Sequence, residues 1–313
     1  MPKESLELLS VKPGHWYIDC NLGGGGHTDL ILKQGGKVIG IDLDADAINE
    51  VAKNHNLKTE NIDFHLQAYS ENLILYQDNF ANIIHVLDKI NSCHPELVSG
   101  STNSQTISIS GILFDLGVAS FQVNEGSRGF SFNKDAPLDM RMDQSQGVSA
   151  RDLVNVLYEK ELTELFWKFG EETFAKPIAR KIVDYRKTKL IETTTELANI
   201  VLSVRRRSPT EKIHPATRIF QALRIAVNDE LNSLTEALPK SYELLSPGGR
   251  LVVISFHSLE DKIVKNTFKD LEQKYKAKIL TDKPLETSNS EIYDNPRSRS
   301  AKLRAVEKNN LIS

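Results

Sequence analysis

The sequence predicts an α/β protein: a doubly wound, mostly parallel sheet interrupted by an inserted all-helical domain. Three observations predict it. Short apolar runs at Tyr17–Asp19, Val38–Ile41, Gly111–Phe114 and Leu251–Phe256 alternate with amphipathic stretches, the pattern of strands joined by crossover helices. Four consecutive glycines, Gly23–Gly26, follow the first run. Between Ala150 and Val204 the alternation stops, and helical periodicity continues without a convincing strand. The boundaries read as 1–125 for the first part of the sheet domain, 126–213 for the helical insertion and 214–313 for the second part.

In chain order, Tyr17–Asp19 ends a buried strand, and the glycines let the backbone turn sharply and a ligand approach it closely. His27–Gln34 is a short helix carrying Leu30, Ile31 and Leu32, and Val38–Ile41 a second strand ending at Asp42 and Asp44. Ala45–Ala52 reads as a helix, Asp63–Leu66 as a short strand and Glu71–Ile90 as a helix with an apolar stripe from Leu73 to Leu87. Ser92–Ser110 is rich in Ser, Thr, Asn and Gly, a surface insertion without chemistry. Gly111–Phe114 is a buried strand that terminates in Asp115. Gly117–Asp143 is irregular, after which Val154–Phe166, Ile178–Tyr185 and Leu197–Val201 give three helical apolar series. Phe220, Leu223, Val227, Leu231, Leu234 and Leu238 predict one long amphipathic helix opened by Pro215. A turn at Ser246–Arg250, a strand at Leu251–Phe256, a capped helix from Ser258 and late strands at Ala277–Leu280 and Lys302–Val306 complete the chain.

At 313 residues and 40% apolar content, the chain has material for one large or two modest domains. No run approaches a membrane span, and the N-terminus MPKESLELLS has no apolar signal region, so a cytoplasmic protein without membrane partners is expected. The two cysteines, Cys20 and Cys93, form neither a disulfide framework nor a metal-ligand spacing. A net charge of −3 argues against nucleic-acid binding through overall basicity. Locally the picture differs. Lys176–Lys189 holds six Lys or Arg against Asp184, and Arg205–Arg207 and Arg297–Arg304 form two further basic clusters, either solvated faces or a phosphate-binding surface.

Asp19, Asp42 and Asp115 all fall at the carboxyl ends of predicted strands, where parallel sheets bind ligands. A glycine loop with a carboxylate about twenty residues on suits a ribose-containing ligand. The loop fails the dinucleotide fingerprint, because its third glycine would fall at Thr28, and no Lys-Ser/Thr follows it as a Walker motif requires. Two readings remain, a nicotinamide dehydrogenase and a methyltransferase using S-adenosylmethionine. Asp115 favours the second, since a sulfonium and an adenine amine suit nearby carboxylates and a pyrophosphate does not.

The segments Gly23–His27, Ile41–Asp44, Gly111–Val118, Arg128–Asp143, His214–Leu231, Val253–Lys265 and Asn295–Arg304, in this order, resemble the small-subunit ribosomal RNA cytosine-N4 methyltransferases from about His15 to Lys308. The resemblance implies a Rossmann-like, class I methyltransferase sheet. It implies transfer of a methyl group from S-adenosylmethionine to the exocyclic N4 amine of a cytosine in the decoding region of 16S rRNA, within the small ribosomal subunit. It places Gly25, Gly26, His27, Asp42, Tyr69 (usually Phe in the family), Asp115 and Gln122 around the cofactor. Three further features depart from the family: Ala119–Gln122 replaces Ser-Ser-Pro-Gln, its N-terminal His-x-Pro-Val-Leu segment has no counterpart in MPKESLELL, and the Ser92–Ser110 insertion is longer than usual.

Asp115 is the first candidate catalytic residue, as an acceptor for the amine, with backbone oxygens around Ser255–His257 as the alternative acceptors. His257, after a strand, is the second, as general base or merely a hydrogen-bonded structural histidine. Attack on carbon 5 would need a cysteine nucleophile, and neither cysteine is placed for one, so N-methylation fits better. Arg128, Phe130, Arg141, His214, Arg218, Arg297 and Arg299 are the candidate RNA contacts. A homodimer is compatible with the sequence. The rival class is a non-catalytic ribosome-assembly factor that retains the cofactor pocket.

Overall fold

Strand β1 (Trp16–Asp19) lies in the middle of a ten-stranded sheet in the computed structural model, which describes residues 1–62, 65–93, 107–118, 128–206 and 213–309. It pairs in parallel with β2 (Lys37–Asp42) on one side and β6 (Ile109–Asp115) on the other. Parallel β5 (Leu73–Gln77) extends the first side, and parallel β7 (Leu245–Ser255) the second. The order β5-β2-β1-β6-β7 makes the gap between β1 and β6 the topological switch point, the crevice where open α/β sheets bind ligands. Antiparallel strands finish both edges: β3 (Glu60–Ile62) and β4 (His65–Tyr69) beyond β5, and β10 (Lys302–Glu307) beyond β7, with β8 (Lys278–Ile279) and β9 (Leu285–Glu286) on β10.

Successive side chains point to opposite faces of a strand, so the continuous apolar runs bury on both faces. Trp16, Ile18, Ile39, Ile41, Ile112, Phe114, Leu251 and Val253 face one layer, packed by α4 (Ile83–Cys93), α10 (Glu230–Leu244) and α11 (Ser258–Tyr275). Tyr17, Val38, Leu113, Val252 and Ile254 face the other, with α1 (Pro2–Leu9), α2 (Gly26–Lys33) and α3 (Ala45–Asn54). The sheet is therefore doubly wound. Among the described residues, no helix is long and apolar enough to cross a membrane.

Three expectations are corrected. Residues 71–90 are not one helix: Leu73–Gln77 forms β5, and only Ile83–Cys93 is α-helical. The Leu-Ile-Leu-Tyr run is buried between β2 and β4, and burial on both faces erases the periodicity that would mark a strand. The long helix breaks at Asp229, whose left-handed φ of 49° ends α9 (Ala216–Asn228) before α10 begins. The expected turn at Ser246–Arg250 lies inside β7, as an irregularity where Ile109 pairs with Leu245 but Gly111 with Arg250.

The second unit, Val118–Glu230, holds α5 (Ala150–Val156), α6 (Glu159–Gly170), α7 (Ala175–Arg186), α8 (Thr194–Val204) and α9. Ser149 with Asp152 and Thr193 with Glu196 form capping boxes that start α5 and α8. Leu162, Phe166, Ile178, Ile182, Leu197 and Val201 fill its core together with Ile219 and Leu223 of α9. Hence the unit reaches Glu230 and takes α9, which had been expected with the sheet domain, because the apolar stripe of α9 is buried among these helices. Glu172 is buried there and ion-paired with Arg205 at 2.7 Å, which commits the first arginine of the 205–207 cluster to the unit's interior; Arg207 lies outside the described residues.

Candidate active site

The glycine loop is shaped by backbone torsion and by one carboxylate. Gly23 and Gly25 adopt φ of 50° and 80°, conformations that L side chains rarely take. The Gly23 N–H donates to Asp42 Oδ2 and the Asp44 N–H to Asp42 Oδ1, each at 2.9 Å, so Asp42 clasps the loop onto the end of β2. A Cβ on Gly25 would meet Val51 at 3.0 Å, whereas one on Gly24 or Gly26 would meet nothing within 4 Å. The loop thus has a packed side and an open side. Gly25→Ala should lower unfolding free energy by at least about 1–2 kcal/mol, the usual cost of a left-handed L residue. Gly26→Ala should leave it unchanged in the same urea titrations, and equal losses in both variants would refute this division of the loop.

Burial dominates the electrostatics. Asp19, the last residue of β1, accepts the Thr28 hydroxyl at 2.9 Å, yet burial pushes its pKa up to about 6 against the opposing effects of His27 and Thr28. Burial likewise pushes Asp42 up to about 7, although its two backbone donors work the other way. Burial lowers His27, but the Asp115 carboxylate, with Asp19 behind it, outweighs that effect and holds the ring above the usual histidine range. His27 lies in the first turn of α2, its Nε2 3.3 Å from Asp115 Oδ2.

Five buried polar atoms at this edge have no hydrogen-bond partner among the described residues: Asn21 Oδ1, His27 Nδ1, Asp78 Oδ2, Asp115 Oδ1 and His257 Nε2. Three are oxygens, acceptors for a ligand that brings hydroxyl or amine donors. Asp78 follows β5, its N–H donating to the Asp42 carbonyl at 3.0 Å. Its other oxygen accepts the Asn79 N–H and the Asn82 side-chain amide. Phe80, two residues on, packs edge-on against Phe114 of β6 with ring centroids 5.4 Å apart. Sequence reading missed Asp78 and Phe80 because the helix drawn through 71–90 hid the strand that delivers them; the signal was the apolar Leu73–Tyr76 run ending in Gln-Asp-Asn.

The structure brings Gly25, Gly26, His27, Asp42 and Asp115 together at the carboxyl edge. It does not bring Tyr69 there. Tyr69 pairs with Ile74, which aligns with Ile39, three residues short of Asp42, because β4 runs antiparallel away from that edge. Gln122 lies outside the described residues. His257 caps α11: its Nδ1 accepts the Glu260 N–H at 3.3 Å, and its Nε2 lies 3.1 Å from the Glu260 carboxylate. One ring nitrogen is thereby taken as a cap acceptor and the other faces a carboxylate.

Most of the predicted RNA contacts brace the helical unit itself. Arg128 is buried, donates to the Met142 carbonyl at 3.3 Å and lies over the Phe130 ring, while Phe130 packs on the unit's core. Arg141 forks onto Asp139 at 2.7 and 2.8 Å and donates to the carbonyls of Gln144 and Gln146. His214 stacks on Phe132 at 4.6 Å and accepts the Ala216 N–H, and Arg218 donates to the Glu171 carbonyl at 2.9 Å. Of these candidates, Arg297 and Arg299 are the exposed ones.

Proteins called ribosomal RNA small subunit methyltransferase H are 43% identical in Carboxydothermus hydrogenoformans, covering 97% of this chain and 95% of that protein, and 42% identical in Syntrophotalea carbinolica, covering 98% and 96%. The counterpart in Brevibacillus brevis is 40% identical over 97% of this chain and 95% of its own. A solved rRNA methylase from Streptococcus thermophilus overlays loosely, with a TM-score of 0.41 and 12% identity over 98% of this chain and 93% of that one. The profile of the MraW methylase family matches residues 1–309, and the chain belongs to that family.

Proposed function

We propose that the protein transfers a methyl group from S-adenosylmethionine to the N4 amine of a cytosine in the decoding region of 16S rRNA, in the context of the small ribosomal subunit and in the cytoplasm. The names of its relatives support an rRNA acceptor, and the motif resemblance supports cytosine N4. The observation that carries the reading is Asp115: a carboxylate at the switch point, one oxygen steadied by His27 and the other buried without a partner.

The residues present fit the cofactor. The open faces of Gly24 and Gly26 leave room for its methionine end against the loop, and Asp42 keeps lone pairs for ribose hydroxyls beyond its two backbone bonds. Phe80, beside Asp78 and Asp42, takes the adenine-side role first expected of Tyr69. When bound, the cofactor supplies an electrophilic methyl group on a positively charged sulfur.

The acceptor amine is a poor nucleophile because its lone pair is delocalised into the ring. Asp115 Oδ1 accepts a hydrogen bond from that amine and favours the positive charge that grows on nitrogen as the N–C bond forms and the methyl–sulfur bond breaks, its electron pair staying on sulfur. The released proton passes to Asp115 or to water. His27 holds the Asp115 carboxylate in place from the other oxygen. Positioning is worth up to about 7–11 kcal/mol of barrier. We assign His257 a capping role through Nδ1, with its Nε2 facing the Glu260 carboxylate at 3.1 Å.

Phe80→Ala should weaken S-adenosylhomocysteine binding by about tenfold, the low end for loss of one aromatic–base stack. Tyr69→Ala should change it less than twofold. Titration calorimetry on both variants decides, and the reverse pattern would return the adenine to β4. The function itself is tested by tritiated methyl transfer to small ribosomal subunits followed by nucleoside analysis. N4-methylcytidine is the expected product; 5-methylcytidine, or no incorporation, would overturn the assignment.

A further inference from the structure

The stretch between β9 and β10 is pinned to the same edge of the sheet as the active site. Lys302, the first residue of β10, pairs with Ser255, the last of β7, whose neighbour Ile254 pairs with Asp115. Glu286, the last residue of β9, pairs with Lys302. Both ends of the connection 287–301 therefore leave from the carboxyl edge, and Lys302 lies two strands, about 10 Å, from the strand of Asp115.

The connection is held by its own bonds and by the ion pair of Glu291 with the Met1 amino group. It contains the helix α12 (Asn289–Asp294) and the 3-10 turn Pro296–Ser300. Ser298 is buried, donates its hydroxyl to the Asn295 carbonyl at 2.7 Å and accepts the Thr287 hydroxyl at its own carbonyl at 2.7 Å. The side chains on either side of this buried anchor face outward. Arg297 and Arg299 are exposed, and Tyr293 is 87% exposed, the largest value among the exposed large hydrophobic residues. Asp294 is the exposed acid among them. A large aromatic ring kept in water, in the same short connection as two exposed arginines, has no folding role to explain it. It has the composition of a single-strand nucleic-acid platform, where rings stack on bases and cations hold phosphates.

Resting on the rRNA reading above, we propose that Tyr293, Arg297 and Arg299 form the docking platform for the unpaired acceptor strand flanking the target base. Arg297 and Arg299 hold flanking phosphates, and Tyr293 stacks on a neighbouring base. The platform acts on the acceptor alone and leaves the cofactor pocket untouched.

Methyl transfer to small subunits gives the test, with KM and kcat measured across salt concentrations. Arg297→Gln/Arg299→Gln should raise the acceptor KM at least tenfold and make the salt slope shallower by about one to two. Tyr293→Ala should raise KM about tenfold and Tyr293→Phe should restore it, because phenylalanine keeps the stacking face. S-adenosylhomocysteine affinity should be unchanged in all three. Hydrogen exchange on the unaltered protein gives an independent readout, with amides in 289–300 expected to gain protection when the rRNA binds. Unaltered KM and salt slope in active variants, or no added protection, overturns the platform while leaving the methyltransferase reading intact. Failure of the unaltered protein to methylate rRNA at all would instead overturn the reading beneath it.

Discussion

Asp42→Ala is expected to weaken S-adenosylmethionine binding by about 10²–10⁴-fold, the largest effect of any single change in the pocket. Two hydrogen bonds from ribose hydroxyls to a carboxylate are worth roughly 1.5–3 kcal/mol each. The variant also releases the Gly23 and Asp44 N–H groups that the carboxylate clasps, so the loop loses its shape as well as its acceptor. Calorimetry at pH 8 measures the loss, and a weakening under fivefold would remove Asp42 from the ribose site.

The same residue predicts a pH dependence with opposite signs for binding and stability. Its folded pKa of about 7 lies above its ordinary value of 3.8, so the folded protein holds more protons than the unfolded chain between those limits. Stability from this group is therefore present below pH 3.8 and is lost as pH rises through 7. Asp19, raised to about 6, adds to the loss in the lower part of that window. Cofactor binding runs the other way, because ribose hydroxyls donate to the ionised form. Affinity should rise toward tenfold per pH unit up to about pH 7 and then level off. Asp42→Asn should flatten both profiles, and an unchanged binding profile in that variant would show that another group governs it.

Asp115→Asn is expected to reduce kcat for methyl transfer by about 10²–10⁴-fold, the range for losing a positioned proton-accepting group. The amide keeps the shape of the carboxylate but cannot favour positive charge on the acceptor nitrogen. Cofactor affinity should move far less than kcat. A second readout separates electrostatics from packing: because Asp115 raises His27, the histidine should titrate at lower pH in the variant, as followed by NMR. Transfer within threefold of the unaltered enzyme would eliminate Asp115 as the acceptor of the amine.

Much of this site is legible along the chain because its parts are local. A glycine loop, a strand end and a helix start lie within Asp19–Asp44, and short-range hydrogen bonds between them need no distant partner. What failed was the stretch after Tyr69. An apolar run buried on both faces has no period, so β5 merged with the helix that follows it, and Asp78 and Phe80 disappeared from the pocket. The family resemblance puts Tyr69 in that position instead, whereas the antiparallel direction of β4 carries it down the sheet.

Apolar periodicity and the glycines determined on their own that this is a doubly wound sheet interrupted by helices, because those signals depend on neighbouring residues; the methyltransferase reading came with the family resemblance of the ordered motifs. Strand direction, the break at Asp229 and the partners of charged side chains came only from tertiary structure. Arg128, Arg141 and Arg218 read as RNA contacts in isolation, and the structure shows each also donating to a carbonyl or carboxylate of its own unit. Conversely, Tyr293 carried no signal until β9 and β10 pinned its loop to the edge that holds Asp115. Charge and residue type are written in the chain, but whether a side chain faces solvent, a ligand or its own backbone depends on contacts between residues far apart in sequence.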